Sequence, residues 1–278
     1  MKYKYSLGMY EKALPDEMSL EEKMTLARES GYDHMEICID LNERRAARLL
    51  WNKKERMYWR ELADKMGVPF TTLSLSLLRQ TPLGLLDEAQ NETAIRIFDE
   101  GCRLAVDLGS RVMLINGYDV YGEESSNATR ERFYQNYEKC ACIAASYGVM
   151  CGIENAEMPF CQTIEDAVKI SQAAESPYMK VYGDIANQNV AFNYDTDRAV
   201  ENLLKGKGNV VAMHLKDSTN GEYRYKEYGS GQVDFGRCVA AAKQIGVRIF
   251  TAEIFCDKDA DQKKRITDIA GFLRSYLD

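Results

Sequence analysis

Short apolar runs alternate along the chain with longer runs whose apolar positions recur at helical spacing, and the alternation happens eight times. The short runs fall at 4–10, 34–40, 70–76, 111–117, 150–155, 179–185, 210–216 and 248–255. They are mostly apolar rather than alternating, as expected for strands covered on both faces. The longer runs predict helices over 19–30, 52–66, 87–108, 126–147, 163–174, 195–205, 234–245 and 257–277. Ser19-x-x-Glu22 and Thr163-x-x-Asp166 each place a hydroxyl where it can accept from the third backbone N–H of a starting helix. Gly31, Gly67, Gly109, Gly148 and Gly246 stand between a helical run and the next strand, the usual place for a helix to stop.

Strands that alternate with helices predict parallel βαβ units. Eight units predict a closed (β/α)₈ TIM barrel in class α/β, and 278 residues suit the roughly 250 that such a barrel needs. An open doubly wound sheet would carry a glycine-rich phosphate loop after its first strand. Here that strand leads into Gly8-Met9-Tyr10-Glu11-Lys12. No linker or repeat interrupts the pattern, so residues 1–278 are expected to form one barrel domain.

Charge narrows the partners. The net charge is −7 and no Lys/Arg-rich run occurs. Neither nucleic acid nor an anionic membrane is therefore expected as a partner, since both need clustered positive charge. A small anionic substrate needs only a few local cations and stays open. The eight cysteines form no CxxC pair, so zinc-ribbon and thioredoxin-type motifs are absent. No signal peptide opens the chain, which leads us to expect a cytoplasmic protein. No apolar run nears the roughly 18 residues of a membrane span. The aromatic content of the helix over 126–147 permits a homodimer interface, and core packing explains it equally well.

Barrel active sites form where strands end and βα loops begin. The last four predicted strands carry Glu154, Asp184, His214 and Glu253 near their ends. In a parallel barrel these ends are neighbours on one rim. Three carboxylates would repel there, and one divalent cation removes the repulsion while using oxygen and nitrogen ligands together. Such a donor set suits Mn²⁺, Zn²⁺ or Co²⁺, and also accepts Mg²⁺. The other histidine, His34, begins the second strand at the opposite end of the barrel and is expected to be structural.

Several stretches resemble the xylose-isomerase-like barrel superfamily, and within it the L-ribulose-5-phosphate (L-xylulose-5-phosphate) 3-epimerases. They are Leu7-Gly8-Met9-Tyr10-Glu11-Lys12-Ala13-Leu14-Pro15, Pro82-Leu83-Gly84, Gly117-Tyr118-Asp119-Val120-Tyr121, Asp184-Ile185-x-Asn187, His214-Leu215-Lys216-Asp217 and Gly229-x-Gly231-x-Val233-Asp234-Phe235. The resemblance implies inversion of C3 of a ketopentose 5-phosphate through a cis-enediolate, with Glu154 and Glu253 as the two proton-transferring residues. It also implies a sugar contact for Asn187. Lys216 lies two residues after His214 on the same side of the strand. It is expected to meet a hydroxyl or phosphate oxygen, or else to pair with Asp217 or Glu227. Arg79 and Lys226 are phosphate candidates on mouth loops, and Glu157 stands just past the fifth strand, beside the ligands.

The chain departs from the pattern at Ser76-Leu77-Leu78-Arg79-Gln80, where a His and paired Arg are expected, and at Leu85, where a hydroxyl residue is expected. A third departure is Glu253-Ile254-Phe255-Cys256, which lacks a polar aromatic and a serine. These changes fall on phosphate binding and leave the metal quartet intact. Three readings therefore stand beside the first: an epimerase or isomerase of an unphosphorylated ketose, a relative acting on an inosose, and a non-catalytic sugar-binding barrel. A DNA-cleaving relative would need a three-metal cluster with several histidines, and the chain has two.

Overall fold

In the computed structural model, which describes residues 4–278, eight parallel strands close into a barrel in sequence order. They are β1 (Ser6–Tyr10), β2 (His34–Cys38), β3 (Thr72–Ser74), β4 (Val112–Asn116), β5 (Met150–Glu154), β6 (Met179–Asp184), β7 (Val210–Leu215) and β8 (Ile249–Ala252). Closure is made by β1 against β8, with Ser6 opposite Ile249 and Met9 opposite Ala252. The helices are α1 (Leu20–Glu29), α2 (Glu43–Ala46), α3 (Lys53–Met66), α4 (Glu88–Leu108), α5 (Asn127–Tyr147), α6 (Ile164–Ala173), α7 (Ile185–Ala191), α8 (Thr196–Leu204), α9 (Phe235–Gln244) and α10 (Gln262–Leu277).

Both expected capping boxes are present, at Ser19/Glu22 and Thr163/Asp166. Each cap stabilises its helix by about 1 kcal/mol. Gly67, Gly109 and Gly148 close α3, α4 and α5 with positive φ. Several expected elements are corrected, including the eighth strand, which ends at Ala252, and the short helix α2 was not predicted. The third strand stops at Ser74, because Leu75 turns to φ −92°, ψ 55° and opens a 3₁₀ turn over Ser76–Arg79. The last helix starts at Gln262, because Asp261 caps it. A helix the periodicity did not reveal, α7, follows β6 directly.

The strands bury both faces differently. Leu7, Met9, Ile37, Leu73, Met113, Ile115, Ile153, Val181, Met213 and Phe250 belong to the main core together with helix residues such as Phe98, Leu104 and Tyr137. Each such fully buried side chain adds roughly 1.5–3 kcal/mol. The barrel interior is smaller and partly polar. Val112, Leu114, Tyr182 and Ala212 form an apolar plug. Beside it the Tyr182 hydroxyl of β6 reaches Glu36 on β2 and Thr251 on β8. Since β2 and β6 lie on opposite sides of the ring, these bonds cross the interior. Among the described residues, no helix is long and apolar enough to cross a membrane.

Candidate active site

Parallel register brings the last four strand ends level. Asp184 and His214 are direct partners across β6 and β7. Glu154, the last residue of β5, lies opposite Tyr182. Glu253 follows β8 and donates its backbone N–H to Leu215 O at 3.0 Å. All four side chains are buried. One ligand atom from each lies within 4.8 Å of the others.

Neighbours fix each group. His214 Nδ1 is 2.9 Å from Glu154 Oε1 and 4.0 Å from Glu253 Oε2, while Nε2 is 2.7 Å from Glu36 Oε1. Asn116 Nδ2 donates to Glu154 Oε2 at 2.6 Å. Asp184 also caps α7: its Oδ1 accepts the Asn187 N–H at 2.9 Å. Lys216 Nζ bridges two carboxylates, at 2.8 Å from Asp184 Oδ2 and 2.6 Å from Glu253 Oε2. Neither of the alternative partners holds Lys216. Asp217 instead accepts the backbone N–H groups of Ser218, Gly229 and Gly231, and Glu227 pairs with Arg265.

The charge balance invites a cation. Four buried carboxylates, Glu36, Glu154, Asp184 and Glu253, face one lysine and one histidine. Burial raises the Asp184 carboxyl, with Glu253 and Glu154 adding to the rise and Lys216 opposing it. Burial also works against the charge on Glu253, but Lys216 and His214 outweigh it and hold that carboxyl low. The ammonium neutralises only part of the cluster. Asp184 Oδ2 and Glu253 Oε2 share that single ammonium, which leaves the remaining negative charge of the cluster for another cation to balance. Three carboxylates and an imidazole converging in this way fit a divalent metal ion.

The quartet opens into a cavity of about 410 Å³ walled by Glu154, Glu157, Asn187, Lys216, Glu253 and Phe255, together with Arg79 and the loop Gly221–Tyr225. Asn187 Nδ2 donates to Asn155 O at 2.9 Å, and Lys216 Nζ lies 3.5 Å from its Oδ1. Glu157 Oε2 accepts from the Tyr118 hydroxyl at 2.8 Å. The Arg79 guanidinium lies over the Tyr118 and Tyr121 rings, at 5.7 and 5.6 Å, and its buried Nε has no partner. Lys226 is not in this wall; it faces Glu222 at 3.7 Å. Several wall or support residues are not among those expected from the sequence, including Asn116 behind Glu154 and the loop residues Tyr223 and Tyr225. Arg224 lies over the Phe255 ring at 5.7 Å, and Glu36 supports His214 from inside the barrel. The signal for Glu36 was present: it is the one acid within the apolar run His34–Cys38. A larger groove, about 490 Å³, runs along α10, but Arg265 and Lys264 there are paired with Glu227 and Asp268.

A family model described as xylose isomerase-like TIM barrel matches residues 24–276. The chain belongs to the xylose isomerase-like TIM barrel family. Among its curated relatives is the L-ribulose-5-phosphate 3-epimerase UlaE of Escherichia coli, 33% identical over 240 residues, covering 86% of this chain and 83% of the relative. Among solved members of the fold, D-psicose 3-epimerase from Clostridium cellulolyticum H10 superposes with a TM-score of 0.80 at 15% identity, over 98% of this chain and 99% of that one. The 3-keto-D-glucoside 4-epimerase YcjR of E. coli superposes with a TM-score of 0.77 at 17% identity, over 98% and 100%. These two likenesses support the xylose isomerase-like fold, and the E. coli 3-epimerase carries the closer sequence relationship of the three.

Proposed function

We propose that the chain is a metal-dependent epimerase that inverts C3 of a ketopentose 5-phosphate, interconverting L-xylulose 5-phosphate and L-ribulose 5-phosphate through a cis-enediolate. The relatives named above are epimerases, which are isomerase-class enzymes. The observation that carries the proposal is the convergence of two glutamates, an aspartate and a histidine within 4.8 Å at the barrel mouth.

Glu154, Asp184, His214 and Glu253 would hold the ion. When bound, a divalent cation there supplies Lewis acidity toward the sugar oxygens beside the reacting carbon, worth several kcal/mol. Glu154 and Glu253 do the proton transfer. One takes the C3 proton and the other returns a proton to the opposite face, each contributing roughly 10²–10⁴-fold. Inversion needs a base on each face. β5 and β8 stand three strands apart on the rim, so the two carboxylates approach a bound sugar from different sides. Asn116 occupies Glu154 Oε2 and leaves Oε1 turned to the centre. Asn187, Lys216 and Glu157 line the cavity and meet sugar hydroxyls, while Arg79 meets the phosphate. Lys226, outside the wall and facing Glu222, has no role in this reading.

The test is a 3-epimerase assay on both pentulose 5-phosphates and on free ketopentoses, before and after chelation, with C3 exchange followed in heavy water. The expected result is activity on the phosphates that chelation abolishes and that Mn²⁺, Zn²⁺ or Co²⁺ restores, with Glu154→Gln and Glu253→Gln each nearly inactive. Full turnover by either variant excludes the two-base scheme. Exchange confined to C1 or C2 makes the enzyme an aldose–ketose isomerase.

A further inference from the structure

Glu36 is fully buried in the middle of β2, inside the barrel. Its Oε1 is 2.7 Å from His214 Nε2, and its Oε2 accepts from the Tyr182 hydroxyl at 2.6 Å. Among the described residues no lysine or arginine is seen to pair with it. A buried carboxylate without a fixed cation is expensive, several kcal/mol before compensation. The barrel nevertheless holds it from below by a run of polar contacts. The Tyr182 hydroxyl lies 3.0 Å from Thr251 Oγ1, Thr251 lies 3.4 Å from His34 Nε2, and His34 Nδ1 lies 2.8 Å from Ser6 Oγ.

A carboxylate only accepts hydrogen bonds, and a neutral imidazole has one N–H. His214 has a carboxylate at each ring nitrogen, Glu36 at Nε2 and Glu154 at Nδ1. A metal ion held by the quartet would need one lone pair, and the contact with Glu36 inside the barrel would then keep the ring hydrogen on Nε2 and free Nδ1. Nδ1 is the nitrogen that faces Glu154 and Glu253. We infer that Glu36 is the positioning residue of the metal centre: held by Tyr182, it fixes the tautomer and ring orientation of His214 so that Nδ1 serves as the metal ligand. The inference rests on the metal-centre reading above. It extends the centre to a fifth strand and to a residue that lies too deep to touch the sugar.

The experiment measures Zn²⁺ affinity by competition with a chromophoric chelator, alongside thermal unfolding of the metal-free proteins. The wild type is compared with Glu36→Gln and Tyr182→Phe. Loss of an outer carboxylate of this kind typically weakens metal binding 10–100-fold. That loss is expected for Glu36→Gln, with a smaller one for Tyr182→Phe, which keeps the charge but frees Oε2. A second readout needs no variant at the site. The chain has two histidines, so ¹⁵N spectra of the Zn²⁺-loaded protein, assigned with His34→Gln, report the tautomer of His214 directly. A proton on Nε2 and none on Nδ1 supports the inference. A metal-bound Nε2 overturns it, as does Zn²⁺ affinity within threefold of wild type in a folded Glu36→Gln. Should Glu36→Gln not fold, the Tyr182→Phe affinity and the wild-type spectrum decide. Failure of the wild type itself to take up Zn²⁺ overturns the metal-centre reading instead.

Discussion

A β-carbon on Gly8 would stand 2.1 Å from Nε2 of His34, its register partner on the next strand. The imidazole is buried and lies between Ser6 Oγ and Thr251 Oγ1, so it cannot swing aside without giving up polar contacts. Gly8→Ala is therefore an overpacking change and should cost about 1–3 kcal/mol, seen as a lower urea midpoint at unchanged slope. His34→Ser should relieve much of it, with a coupling energy above about 0.5 kcal/mol in the double-mutant cycle. Independent, additive effects of the two substitutions would show that the ring is not what excludes the methyl group.

The same histidine makes stability depend on pH. Burial pushes the His34 pKa down to about 4, against the pull of Glu36 and Asp33. The folded state thus keeps the ring neutral, while the unfolded chain takes up a proton near 6.5. Below that pH the unfolded state binds more protons, so stability falls as pH drops from about 6.5 toward 4, by on the order of 2 kcal/mol at pH 5. Urea unfolding at pH 7.5 and pH 5 should show this loss in the wild type and a clearly smaller one in His34→Gln. Equal losses in both proteins would assign the acid sensitivity to other groups.

Much of this was legible in the sequence, and the rest was hidden for physical reasons. Eight apolar runs and their helices give the barrel because period and length distinguish the two element types. The quartet is legible because barrel chemistry gathers at strand ends. Glu36 stands out as an acid in an apolar strand, but its role is not legible, because only closure of the ring brings β2 across to His214. α7 stayed hidden because Ile-Ala-Asn-Gln-Asn-Val-Ala is too short and polar for a helical stripe, and its cap is Asp184, which the strand pattern had already claimed. The cavity role of Arg224 depends on how Asp217 gathers the backbone of Gly229 and Gly231, a long-range fold of the loop that local spacing does not encode.

Lys216 stands where charge compensation and metal binding meet. It pairs with both Asp184 and Glu253. Removing one partner of a buried pair costs about 3–5 kcal/mol, so metal-free Lys216→Met should unfold well below the wild type. A bound divalent ion stabilises whatever folded state it binds, by RT ln(1 + [L]/Kd), and it replaces the missing positive charge. Added Mn²⁺ should therefore raise the melting temperature of Lys216→Met more than that of the wild type. A deficit that Mn²⁺ leaves untouched would mean that Lys216 supports the fold by packing rather than by neutralising the ligands.

Arg79 separates phosphorylated from free sugars. Its guanidinium is spread on Tyr118 and Tyr121, its buried Nε has no partner, and it lines the cavity that holds Glu154 and Glu253. A phosphate oxygen satisfies such a group with charge-assisted hydrogen bonds worth about 1.5–3 kcal/mol, or roughly 10–150-fold in binding. Arg79→Gln should raise KM for the pentulose 5-phosphates by about that factor while leaving turnover of a free ketopentose within threefold of its starting value. Arg79→Lys should fall between, since an ammonium keeps the charge but loses the planar fork and the stacking on the two rings. Equal damage to both substrate classes would make Arg79 a packing residue of the Tyr118–Tyr121 pair, and the phosphate would then have to be bound elsewhere, with Arg224 on the facing loop the next cation to remove.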